Sequence, residues 1–102
     1  MHNNITRDLF LAFVRVHILH HAAQGPVFGL EMIGELQHHG YTISPGTIYP
    51  ILHGLQKTGC LRSKQEVVKG KRRRYYVATA RGKRALTEVR IKIRELVDEV
   101  LE

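Results

Sequence analysis

Three groups of side chains in this 102-residue sequence have the types and spacing to do chemistry. The densest is the run Lys69-Gly70-Lys71-Arg72-Arg73-Arg74. Eleven of the sixteen Lys and Arg residues, but one of the nine acids (Glu66), fall between Lys57 and Arg84, so the net charge of +7 is concentrated in one stretch. A local positive field of this kind suits a polyanion, although an isolated basic run also serves as a solvated surface. The second group is Ser44, Gly46, Thr47 and Tyr49, whose hydroxyls and open backbone can meet a phosphate or a base edge. The third is the histidines. His17 and His21 stand four apart, on one helical face, with His20 beside them. That spacing can hold a metal, but no acid or thiol adjoins them in sequence and His38, His39 and His53 fall at helix ends or surfaces. Polar or interface histidines, with no metal and no cofactor, are therefore expected. Cys60 and His53 lack a third, orienting group for nucleophilic catalysis, and a lone buried cysteine behaves as a small hydrophobe. No enzyme is expected.

The elements that must position these groups follow from composition and pattern. Apolar residues make up 43% of the chain and charged residues 25%, values of a folded globular protein. One domain is expected, and a chain of this size buries only about two thirds of its unfolded surface, so association with a second copy would add stability. The single cysteine excludes an internal disulfide and fits a reducing, cytoplasmic setting. The apolar run Leu9–Val14, followed by Arg15 and His17, falls far short of the ~20 residues of a membrane span; neither a span nor a signal peptide is expected.

Apolar residues from Ile5 to Ala23 recur at helical spacing in two stripes, Leu9/Ala12/Val16/Leu19/Ala23 and Phe10/Val14/Ile18. Two stripes want two partners: one is assigned to the core and the other, Phe10, Val14 and Ile18, to a second subunit. Gly25-Pro26 ends this helix. A second helix is predicted from Gly29 to His39, stopped by Gly40. A third runs from Ser44 to Lys57, with Ser44 as the capping side chain and Pro45 at the first helical position. Its buried face is Ile48, Ile51, Leu52 and Leu55, and its opposite face Thr47, His53, Gln56 and Lys57. Pro50 is anomalous inside a helix, with Gly46 four residues back where its ring would crowd. Leu61–Val68 and Arg72–Thr79 read as strands of a hairpin with Lys69-Gly70-Lys71 at its tip. A last helix, Arg81–Leu101, places Leu86, Val89, Ile93, Leu96 and Val100 on a coiled-coil-like seam, an expected dimer interface. Arg90, Lys92 and Arg94 in its first half and Glu95, Asp98, Glu99 and Glu102 at its end would match if two copies ran antiparallel.

The expected fold class is therefore mainly α with a small β-hairpin: a winged helix-turn-helix over residues 1–80 and a C-terminal dimerisation helix over 81–102, within a single domain. In such a plan the second helix of the pair enters the major groove and the hairpin follows the phosphate backbone. The expected DNA-binding residues are Ser44, Gly46, Thr47, Tyr49, His53 and Lys57 on the helix and Lys69, Lys71, Arg72 and Arg73 on the wing, with Arg74 a further candidate. Neighbouring strand residues point to opposite faces, so Arg72, Arg73 and Arg74 cannot all meet DNA together.

The run Ser44-Pro45-Gly46-Thr47-Ile48-Tyr49-Pro50-Ile51-Leu52, with Gly25-Pro26, Gly29, Glu31, Leu55, Gly59 and Arg73-Arg74-Tyr75-Tyr76, resembles the PadR family of transcriptional regulators in its short form. The resemblance implies a winged-helix dimer held together by its first and last helices. It also implies DNA contacts from Ser44, Gly46, Thr47, Tyr49 and the wing cations. Repression at a roughly palindromic operator, relieved in some members by a small-molecule effector, is implied as well. An effector pocket between subunits would be aliphatic, with Phe10 or Phe13, since the chain has no tryptophan and its last helix no aromatic residue. Phe28 and Leu30 depart from the histidine and tyrosine common in the family. A sequence-specific DNA-binding repressor is the leading expectation. A winged-helix protein-interaction subunit and a non-specific nucleic-acid binder are the alternatives.

Overall fold

The first helix, α1 (Ile5–Gln24), begins where the Asn4 side chain accepts hydrogen bonds from the backbone N–H groups of Thr6 and Arg7 (3.0 and 3.3 Å) and ends at Gly25. The computed structural model describes residues 4–101. The chain continues through β1 (Val27–Phe28), α2 (Gly29–His38), α3 (Pro45–Lys57), β2 (Leu61–Val68), β3 (Lys71–Ala78) and α4 (Ala80–Val100). Glu102, one of the acids expected to pair in trans, lies outside the described residues, as do residues 1–3.

Both helices of the α2–α3 pair stop at a glycine in the left-handed region, Gly40 (φ +83°) and Gly59 (φ +85°). At each stop two backbone bonds close the last turn: Tyr41 N–H to Leu36 O with Gly40 N–H to Gln37 O, and Cys60 N–H to Leu55 O with Gly59 N–H to Gln56 O. Such a paired closure satisfies carbonyls that a helix end would otherwise leave open. At the start of α3 the expectation is corrected: the Ser44 side chain caps no backbone N–H, and its Oγ lies 3.4 Å from Thr47 Oγ1 instead. Pro50 is accommodated without breaking α3.

The sheet has three antiparallel strands in the order β1-β3-β2, one more than the predicted hairpin. Val27 pairs with Tyr76 and Phe28 with Tyr75, so β1 extends the edge of the wing. The β2–β3 turn is two residues long, with Lys69 and Gly70 both at positive φ (52° and 77°), the backbone of a type I′ hairpin. Lys71 is consequently the first residue of β3, not part of the tip.

Side chains from every helix meet in one core: Val14, Ile18, Met32, Leu36, Ile48, Leu52, Leu61, Tyr76 and Leu86 are all buried. Each such aliphatic side chain taken from water contributes about 1.5–3 kcal/mol before entropy is counted. Val14 and Ile18 are fully enclosed at 0% exposure and Leu86 at 3%, so the dimer-interface reading of these three residues is corrected. A side chain with no surface to lose in its own chain gains nothing from a partner. Phe10 is half-buried, its ring 5.0 Å from that of Tyr41. The outward face of α1 is neither predicted stripe: Ile5, Leu9 and Phe13 are exposed, whereas Leu19 of the Leu9 stripe is buried and its Val16 and Ala23 pack against the core.

Along α4 the predicted seam changes character with distance from the core. Leu86 is buried, Val89 and Ile93 are half-buried, and Leu96 and Val100 are 52% and 62% exposed. The last two turns project beyond the chain's own core.

Candidate nucleic-acid interface

Helix α3 lies with Ile48, Ile51, Leu52 and Leu55 buried, which turns Ser44, Gly46, Tyr49, His53 and Lys57 to the exterior, with Thr47 half-buried at the edge. This is the division of faces that the spacing predicts. Because Pro50 has no N–H, the Gly46 carbonyl has no donor four residues on, and the first turn of α3 keeps open backbone groups at its exposed end. The Tyr49 ring rests over the start of α2: a methyl group added to Gly29 would lie 2.6 Å from it. Gly29 is thus the gap that lets this tyrosine lie across the two helices.

On the wing, Tyr76 and Ala78 of β3 are buried, so Arg72 and Arg74 share their face of the strand while Lys71, Arg73 and Tyr75 take the other. Arg73 is half-buried, its guanidinium carbon 4.5 Å from the centre of the Phe28 ring, and its strand neighbour is Glu66. It therefore lies away from the surface shared with α3, which Arg74 reaches instead. Arg74 donates to Ser63 Oγ (2.9 Å), and Ser63 donates in turn to Gln56 Oε1 on α3 (2.9 Å). His53, Gln56, Lys57 and Arg74 line one shallow cleft where helix and wing meet. The Ser63 bridge between α3 and the wing was not legible in sequence, since it depends on which face of β2 packs toward the helix. Lys69, Lys71 and Arg72 are exposed at the tip end of the hairpin.

The N-terminus of α4 is fastened to the exit of α3. Thr79 is its cap, accepting from Gly82 N–H (3.0 Å) and donating to Gly59 O, while Arg81 donates to Thr58 O (3.0 Å). Thr79, expected as the last residue of the strand, stands instead as the cap of α4; a threonine just ahead of a helical pattern is the sequence signal for it. Of the three cations proposed for pairing in trans, Arg90 donates to His20 Nδ1 (3.2 Å) and Lys92 meets Glu95 on its own helix (3.3 Å), leaving Arg94 without such an engagement among the described residues.

The histidines gather more than their sequence positions suggest. His39, expected at the surface, stacks on His17 with ring centres 4.8 Å apart and planes 28° from parallel, and His21 Nε2 lies 4.0 Å from Glu35 Oε2. Burial, and then the neighbouring His39, His21 and His20, hold His17 below the ordinary histidine pKa. His20 is lowered by burial, His21 and Arg90. Cys60 is half-buried against the core, with no neighbouring base in the hydrogen-bond pattern of the described residues.

A helix pair with glycine-closed ends, followed by a cationic antiparallel wing hydrogen-bonded to the second helix, defines a winged-helix architecture of the DNA-binding type. The model of the PadR-like family of transcriptional regulators matches residues 18–88. The transcriptional regulator Rv3488 of Mycobacterium tuberculosis is 53% identical over 95 residues, which span 93% of this chain and 89% of the relative. A PadR family regulator from Eggerthella lenta superposes with a TM-score of 0.83 at 29% identity, over 94% of this chain and 85% of the other. A PadR-like regulator from Bacillus cereus does so with a TM-score of 0.79 at 27% identity, over 93% and 97%. The chain belongs to the PadR-like family of transcriptional regulators. No helix among the described residues is long and apolar enough to cross a membrane.

Proposed function

We propose that the protein is a homodimeric repressor that recognises a palindromic operator in cytoplasmic double-stranded DNA. The observation that carries this reading is the cleft joining His53, Gln56 and Lys57 of α3 to Arg74 of the wing, which makes one continuous cationic surface of two elements. In this reading the exposed start of α3, with Ser44, Gly46, Thr47 and Tyr49, meets base edges and phosphate in the major groove. Lys57, Arg74, Lys69 at the hairpin tip and Lys71 and Arg72 at the start of β3 neutralise phosphates on either side.

The second subunit covers the outward stripe of α1, Ile5, Leu9 and Phe13, and the projecting seam of α4, Val89, Ile93, Leu96 and Val100. Such an apolar surface is costly to leave in water and is typical of a partner contact. A cavity of about 390 Å³ between α1 and α4, lined by Phe13, Val16, Tyr41, Leu86 and Ile93 among others, has the size and apolar lining to take a small-molecule effector. Phe13, not Phe10, is its α1 aromatic from the expected pair.

The test is a fluorescence-anisotropy titration of a duplex selected by the protein and of a scrambled duplex at the same salt concentration. The selected duplex should bind about 10³-fold or more tightly. Replacing Thr47 and Tyr49 by alanine should collapse that ratio while leaving affinity for the scrambled duplex nearly unchanged. A variant that keeps the full ratio would contradict the assignment of α3.

A further inference from the structure

Two crossing helices each bring a pair of metal-ligating residues one turn apart to the same place: His17 and His21 from α1, and Glu35 from α2 with His39 at its C-terminal cap. One ring nitrogen from each of His17, His21 and His39 lies within 4.8 Å of the others, and the Glu35 carboxylate stands beside His21 at 4.0 Å. We propose that this junction is a binding site for a borderline divalent transition-metal ion of the zinc class, held by His17, His21 and His39 with Glu35 as the anionic partner.

The donor set selects the ion. Three imidazoles and one carboxylate, with no thiolate, suit zinc, nickel, cobalt or copper, whereas magnesium and calcium require mostly oxygen. His17 and His39 stack with ring centres 4.8 Å apart and planes 28° from parallel, which keeps their ring nitrogens close to one another and to that of His21. Nitrogens around a tetrahedral zinc stand roughly 3.3 Å apart. His39 is exposed at the end of α2, so rotation of its side chain is the freedom that draws the set together.

Binding there would have a definite consequence. His39 directly precedes Gly40, where the chain turns toward α3, so an ion would tie the end of α2 to α1 at the root of the helix-turn-helix. His17 also lines the α1–α4 cavity, which places the ion beside it. The site does not depend on the DNA-binding reading, because metal affinity is measured without DNA.

The experiment is calorimetric titration of the full, chelator-treated chain with zinc chloride, paralleled by the visible absorption of cobalt(II). One ion per chain should bind with saturation, and cobalt should give the intense bands of a tetrahedral nitrogen-rich site. His39→Gln and His21→Gln should each weaken zinc binding roughly a hundredfold or more, at or beyond the upper end of what losing an outer-shell partner costs. His38→Gln, one residue from His39 but outside the cluster of ring nitrogens, should bind as the unmodified chain does. Circular dichroism of each metal-free variant confirms that it is folded. Failure to saturate below about 0.1 mM zinc, one ion per two chains, or equal losses in His38→Gln and His39→Gln would each overturn the assignment.

Discussion

Gly82, in the first turn of α4, lies directly on the backbone of Cys60: a methyl group added there would meet the Cys60 carbonyl oxygen at 2.1 Å. This close approach sets how the projecting helix leaves the winged-helix body. Cys60 follows the glycine that closes α3, so the two functional helices are joined by adjoining backbone, reinforced by Thr79 and Arg81. A shift of α4 would be felt at the end of α3 through contacts that have little give.

Gly82→Ala should therefore destabilise the chain by about 1–3 kcal/mol, the range for forcing extra volume into a packed site. In an open helix the same change would be stabilising, and Gly34→Ala, which meets nothing within 4 Å in α2, should gain about 0.5–1 kcal/mol. Urea unfolding of both variants checks the contrast; equal shifts of the same sign would refute the close approach at Cys60.

At Gly29 the obstructing group is the far end of the Tyr49 side chain rather than backbone. Gly29→Ala should leave the unfolding midpoint nearly unchanged yet displace the tyrosine, weakening binding to the selected duplex. Anisotropy measured beside thermal unfolding separates the two effects, and a variant that is destabilised but binds normally would show that the position of Tyr49 is irrelevant to recognition.

The two neighbouring arginines of β3 should behave differently. Arg74→Ala removes a cation from the α3 side of the wing, so it should weaken binding to every duplex and reduce the slope of log affinity against log salt by about one. Arg73→Ala loses its place over Phe28, a contact worth about 0.5–1 kcal/mol at an exposed site, and should alter stability more than salt slope. Matching salt slopes in the two variants would contradict the face assignment.

For the dimer, Leu96→Glu is the informative change, because Leu96 is half exposed in its own chain and contributes little to the protomer core. Sedimentation equilibrium should find two chains together in the unmodified protein and single, folded chains in the variant. A variant that sediments as a pair would remove α4 from the interface.

The helix ends, the hairpin and the buried face of α3 were legible in the sequence because each is written in neighbouring residues: Gly40 and Gly59 past their helices, Lys69-Gly70-Lys71 between strands, one residue longer than the turn that forms, and Ile48, Ile51, Leu52 and Leu55 at helical spacing. What could not be read depends on distant partners. Val27 and Phe28 form a strand only because Tyr75 and Tyr76 arrive beside them, and two residues carry no alternation of their own. Both stripes of α1 are apolar, so periodicity identifies two faces without saying which the sheet and α4 will cover; Val14 and Ile18 went inside. His39 stands far from His17 and His21 in sequence, and the crossing of α1 and α2 alone makes them neighbours.

The most direct test of the central claim is selection of duplexes from a random pool by the purified chain, with the protein-to-DNA ratio measured on the winners. Two chains bound to an inverted repeat, its half-sites centred about one helical turn or a multiple of it apart, is the predicted result. A pool that shows no enrichment at low salt, or an asymmetric site filled by one chain, would contradict it.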